Sequence, residues 1–265
     1  MQKQFVVGQV LRLTASWRRR LGLFGAALLV ATTLTPATAQ TTAPAELSIA
    51  IQTLETAANS RDLETLLTTY APDFQTTDGL QRAAYLEALS QLWERYPELT
   101  YDVELLNWEA TPEGWRIETQ TSVTGSTADS PPTQLTSTIR SQQTFANGQI
   151  QQQKILAEET RRSRGEKPPT LKINLPESAS PNSEFPFDVI VNEPRGKQVL
   201  LGGVREDVVA AERFLTPTNL PLTVLPAGGI FKVVELSDEP GDRWFSAIVV
   251  RNDGMSQITR RVRVE

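Results

Sequence analysis

The sequence predicts three helices laid on a curved antiparallel sheet, an α+β unit, followed by an all-β sandwich of immunoglobulin-like architecture. Three observations carry this reading. Residues 47–96 hold apolar positions at helical spacing, broken at Asn59-Ser60-Arg61 and at Asp78-Gly79. Long runs with two-residue alternation follow between Leu99 and Thr160. Beyond Thr170 no helical period remains, and short β-rich runs alternate with turn clusters. The expected organisation is a signal peptide over 1–39, an α+β domain over 40–160, a linker over 161–170 and a β-sandwich over 171–265.

The N-terminal segment joins Arg18-Arg19-Arg20 to the apolar run LGLFGAALLVATTL and then to Pro36-Ala37-Thr38-Ala39. A basic start, a short apolar stretch and a small-x-small end predict export and cleavage after Ala39. The run has fourteen residues, short of the ~20 that a spanning helix needs. The expected location is the periplasm, the thylakoid lumen or the medium, with no stable membrane span after cleavage.

In the first helix Leu47, Ile51 and Leu54 share a face, with Ala50, Ala57 and Ala58 nearby. Asp62 caps the second helix, with Thr65 three residues on. Leu63, Leu66, Leu67 and Tyr70 form that helix's apolar face, and Pro72 ends it. The third helix runs from Leu80 to Tyr96, before Pro97.

The first strand begins at Leu99, and its alternation changes phase at Leu106, which predicts a bulge. The second covers Trp115–Val123. The third places Leu135, Ser137, Ile139, Ser141 and Phe145 on one face. Asn147-Gly148 is a hairpin turn, and the fourth strand covers Gln149–Thr160. RRSRGEKPPT, over Arg161–Thr170, reads as the linker. The later strands are LKINL, FPFDVIV, KQVLLGG, LTVL, IFKVVEL, RWFSAIVV and ITRRVRV.

The whole chain has 26 basic and 31 acidic residues, no cysteine and no histidine. The first 39 residues carry five bases and no acid, so cleavage leaves a chain of about −10. Residues 40–160 hold 17 acids and 6 bases, an unfavourable balance for nucleic acid or an anionic membrane. Without cysteine there is no disulfide and no thiolate ligand. Without histidine, Ser-His-Asp and Cys-His catalysis are excluded.

The junction Asn59, Asp62-Leu63, Tyr70-Ala71-Pro72-Asp73-Phe74 and the later Phe145-Ala146-Asn147-Gly148 resemble the NTF2-like superfamily, in particular its SnoaL-like and ketosteroid-isomerase-like members. The resemblance covers about residues 44–160. The joined arrangement also resembles uncharacterised exported proteins of cyanobacteria. The resemblance implies a cone whose open end holds a small apolar ligand, and a homodimer through the open sheet face. It places an isomerase-type base at Asp78, but Leu54 where such enzymes carry a tyrosine and Ser141 near the place of a neutral acid. A lone carboxylate lacks the oxyanion donors that such catalysis requires.

Asp78 is therefore a weak catalytic candidate; the preferred reading is a turn residue capping the third helix. Tyr70, Phe74, Tyr85, Trp93, Tyr101 and Trp115 are ligand-pocket candidates, with filling of the core as the preferred reading. Glu158-Glu159 beside Arg161-Arg162 reads as a solvated strand end. Asp238, Glu239, Asp242 and Asp253 lie in turns without the spacing of a calcium loop. No cofactor and no metal are expected. The leading expectation is an exported, non-catalytic protein that binds a small molecule or a protein partner, with the β-sandwich as an interaction module. The alternatives are an isomerase- or cyclase-like enzyme using Asp78, and a structural part of an envelope complex.

Overall fold

The computed structural model describes residues 42–265 other than 195, 197 and 215–218. The expected signal peptide and its cleavage point lie outside the described residues. Among those described, no helix is long and apolar enough to cross a membrane.

Helix α1 (Ala45–Ser60) buries Leu47, Ile51, Leu54, Ala57 and Ala58 along one stripe. It stops where Arg61 turns left-handed, with φ 58°, and the Asp62 N–H reaches back to the Ala57 carbonyl at 2.9 Å. Helix α2 (Leu63–Thr69) starts from Asp62, whose Oδ1 accepts the Thr65 N–H at 3.0 Å. The segment expected as a mere exit from α2 is a strand, β1 (Tyr70–Thr76). It inserts Tyr70, Ala71, Phe74 and Thr76 into the core and pairs in parallel with β5. Helix α3 (Arg82–Arg95) follows the turn at Gly79.

The meander is β2 (Thr100–Thr111), β3 (Gly114–Ser126), β4 (Thr133–Ala146) and β5 (Gln149–Gly165). The register of β2 on β3 shifts between Leu105 and Asn107, where the alternation changes phase. Further shifts lie between Arg140 and Ser141 and between Thr144 and Phe145. Such bulges bend and twist a sheet. The β4–β5 hairpin turns on Asn147 and Gly148, with φ 54° and 76°.

The rest is β6 (Leu171–Asn174), β7 (Ser178–Ala179), β8 (Glu184–Val191), β9 (Leu201–Val208), a 3₁₀ turn at Ala211–Arg213, β10 (Thr223–Val224), β11 (Gly229–Glu235), β12 (Arg243–Arg251) and β13 (Gly254–Val264). A ten-stranded sheet runs β10-β9-β12-β13-β5-β4-β3-β2, with β1 also on β5 and β7 also on β13; β11-β8-β6 form a second sheet. Among the described residues the architecture is thus α+β, mostly antiparallel sheet with three α-helices.

The expected linker is strand as far as Gly165: Glu159–Gly165 pairs residue by residue with Gly254–Arg260 of β13. Within it Arg161 is paired in place: Glu159 accepts from both Arg161 (2.7 Å) and Arg260 of β13 (3.4 Å). Residues 42–265 consequently form one compact unit. Two apolar clusters lie within it. One joins the helices to β1–β5. The other joins β6, β8 and β11 to β12 and β13, with Phe185 and Phe187 edge-on to Phe245.

Candidate functional site

Between the helices and the concave face of β2–β5 lies a cavity of about 340 Å³. Its walls are mostly apolar: Leu54, Ala58 and Leu66 from α1 and α2, Leu89 and Leu92 from α3, and Val103, Val123, Leu135, Ile139 and Ile155 from the strands. The volume falls within the roughly 300–1,000 Å³ usual for small-molecule sites.

Strand alternation decides which polar groups face inward. On β4 these are Ser137, Ser141 and Gln143; on β5 they are Gln153, Glu158, Thr160 and Arg162. Most pair among themselves. Ser137 and Thr160 hydroxyls lie 2.8 Å apart, and Ser141 and Thr119 hydroxyls 3.1 Å apart. Gln143 Nε2 donates to Gln153 Oε1 at 3.1 Å. Gln143 Oε1 is buried without a hydrogen-bond partner among the described residues.

Four tyrosines border the space, and three of them, Tyr70, Tyr85 and Tyr101, hydrogen-bond through their hydroxyls. The Tyr70 hydroxyl donates to that of Tyr85 at 3.3 Å, and Tyr101 accepts the Trp93 indole N–H at 2.9 Å. Burial raises the hydroxyl pKa of all three, Tyr101 to about 12. They remain neutral hydrogen-bonding groups at ordinary pH.

Beside Asp78 and Glu158 stands Arg261 of β13, whose side chain is 1% exposed. Its Nη1 and Nη2 donate to the two oxygens of Asp78 at 3.0 and 2.8 Å. Its Nη1 also meets Asp242 at 3.0 Å, and its Nε meets Glu158 at 3.4 Å. Burial opposes this charge, but the hydrogen bonds it donates to Asp78 and the negative charge of Glu158 overcome it and raise the guanidinium pKa. Trp244 donates its indole N–H to Glu158 at 2.9 Å and is stacked edge-on by Phe214, which also lines the cavity. The C-terminal half therefore completes one side of the chamber.

Of the six aromatic candidates, Tyr70, Tyr85 and Tyr101 line the cavity. They border an open space where a filled core was the preferred reading. Phe74 stands behind Tyr70 and Tyr85, at ring distances of 4.6 and 5.4 Å. Trp93 acts on the wall through Tyr101. Trp115 lies elsewhere, donating to Glu46 at the start of α1.

Asp78 lines the cavity but does not cap α3, whose N-cap Gln81 makes no side-chain cap hydrogen bond; Thr76 Oγ1 takes the Leu80 N–H at 3.0 Å in the preceding turn. The buried guanidinium draws the aspartate away from the turn. Each oxygen of Asp78 already accepts a hydrogen bond from Arg261. Leu54 and Ser141 are also on the cavity wall, and the Ser141 hydroxyl is turned to Thr119. Asp242 and Asp253 serve different arginines, Arg261 and Arg251.

Sequence reasoning singled out neither Arg261 nor Phe214, Gln143 and Gln153. Only the inward register of β4, with Ser137 and Ser141 among apolar residues, signalled a partly polar wall.

Residues 166–265, that is β6–β13, match a family model described as a domain of unknown function, DUF8623. No curated protein matches the chain. Among solved structures, that of Bdellovibrio bacteriovorus Bd1075 is similar over 42% of this chain and 38% of its own, at 14% identity and a TM-score of 0.32. An LEH-like epoxide hydrolase of M. tuberculosis is similar over 42% of this chain and 80% of its own, at 12% identity and a TM-score of 0.28. Likenesses this slight say nothing of what occupies the cavity.

Proposed function

We propose that this is an exported, non-catalytic protein that binds a small, largely apolar molecule in an NTF2-like cone, with an immunoglobulin-like β-sandwich closing the cone's side. One observation carries the reading: a chamber of about 340 Å³ with mostly apolar walls, most of whose polar groups pair with one another. Burying an apolar ligand there gains roughly 25 cal/mol for each Å² removed from water. A catalytic reading finds less support. Histidine is absent, Asp78 is held by Arg261, and the oxyanion slots are Leu54 and Ser141.

The test is a fluorescence titration of the purified protein with Nile red, a neutral apolar dye. Saturable emission with one site per chain is expected. Ala88→Trp, which places an indole into the cavity from α3, is expected to abolish the signal without lowering the melting temperature. Equal dye binding by the filled variant would overturn the reading.

A further inference from the structure

We propose that the ligand is an amphipathic carboxylate, with its apolar body in the chamber and its acid group on Arg162. This rests on the cavity being a binding site and adds the ligand's charge and orientation.

The inward residues of β5 show where the chamber opens. Gln153 and Ile155 are buried, at 6% and 9% exposure, whereas Glu158, Thr160 and Arg162 are half-buried. The mouth therefore lies toward the Arg162 end of the strand. Arg162 faces Leu135 of β4 on one side and Gln257 of β13 on the other.

Arg162 is the one cation among the described residues that line the cavity. The acids that line it are already taken. Asp78 is bound at both oxygens by Arg261, and Glu158 by Arg261 and Trp244. The neighbouring arginines Arg161, Arg260 and Arg261 each hold a carboxylate. Arg162 has no ion pair and no side-chain hydrogen bond among the described residues. An unpaired guanidinium at the lip of an apolar chamber suits a group that brings its own negative charge and a hydrophobic tail. Its planar fork matches a carboxylate through two parallel hydrogen bonds.

One register step further in stands the Ser137–Thr160 hydroxyl pair, at 2.8 Å. Two hydroxyls carry two protons, and only one is used between them. The second can be donated to an oxygen held at Arg162. The net negative cluster around Arg261 lies four residues back along β5, roughly 13 Å at 3.3 Å per residue. At that distance its repulsion of the bound acid is weaker than the attraction of the adjoining guanidinium, since Coulomb energy falls with separation.

The test is calorimetric titration of the purified protein at neutral pH with decanoate and, separately, with decan-1-ol. Decanoate is expected to bind, and Arg162→Gln to weaken it roughly ten- to a hundredfold, as for loss of a charge-assisted contact. Arg162→Lys should restore part of the loss. Decan-1-ol should bind wild type and Arg162→Gln alike, which also shows that the variant is folded. Lys154→Gln, on the outer face of β5, should change nothing. Equal decanoate affinity in wild type and Arg162→Gln overturns the proposal. So does Nile red binding without decanoate binding, which leaves the cavity reading standing. If neither molecule binds, both readings fall.

Discussion

Arg261 shows how one buried charge ties distant segments together. It reaches Asp78 before α3, Glu158 on β5 and Asp242 at the head of β12. Removing it leaves three carboxylates facing one another with little water. Arg261→Met should therefore cost roughly 3–5 kcal/mol in urea unfolding, the range for breaking a buried ion pair from one side. Arg261→Lys should recover little, because an ammonium cannot present the two-pronged contact to Asp78. The buried tyrosines make a second prediction. The hydroxyl of Tyr101 is pushed from 10.0 to about 12, and those of Tyr70 and Tyr85 are also raised. Above pH 10 the unfolded chain releases these protons first, so the stabilisation present below pH 10 is lost as the pH rises toward 12. The slope is up to ~1.4 kcal/mol per pH unit for each tyrosine. Melting temperatures measured between pH 8 and 11.5 should fall above pH 10, and less steeply in Tyr101→Phe. The three tyrosines already stood among the aromatic candidates of the sequence; the role of Arg261 was not legible there. In ITRRVRV, which arginine is buried depends on what flanks β13, and beside the adjoining β12 that includes β5, far earlier in the chain.

At the scale of elements, α1 is fastened to the sheet by a polar residue of its last turn. Asn59 Nδ2 donates to the Tyr101 carbonyl and Asn59 Oδ1 accepts the Tyr101 N–H, both at 2.8 Å. The side-chain amide thus imitates a neighbouring strand at the edge of β2. Asn59→Ala should lower stability by about 1–2 kcal/mol in denaturant unfolding, and Asn59→Asp should not rescue it, since the donor is lost. Here the sequence was informative: Asn59 and Asp62 stand in the junction motif, and local capping chemistry explains Asp62. The three helices, the meander, the bulge near Leu106 and the Asn147-Gly148 turn were all readable, because spacing and turn residues determine them locally. Strand β1 was not, because Pro72 in a short apolar run argues for a stop. Nor was the extension of β5. RRSRG has the composition of a linker, and only pairing with β13, about ninety positions later, makes it strand.

For the whole molecule, the consequence is that the helical half and the C-terminal half share one sheet. The chamber takes Asp78 and Tyr85 from one and Phe214 from the other, with Arg261 standing behind Asp78. Whether aromatic residues fill a cone or ring an empty space is not a local property. It depends on how far three helices are held off a bent sheet, and hence on the sum of many contacts. Diffraction from a crystal pressurised with xenon is the most direct measurement of that space. Apolar cavities take up such a probe, so xenon is expected within the chamber, against Leu66, Leu89, Val103 and Ile155. Side chains packed across the chamber with no xenon between them would contradict the account.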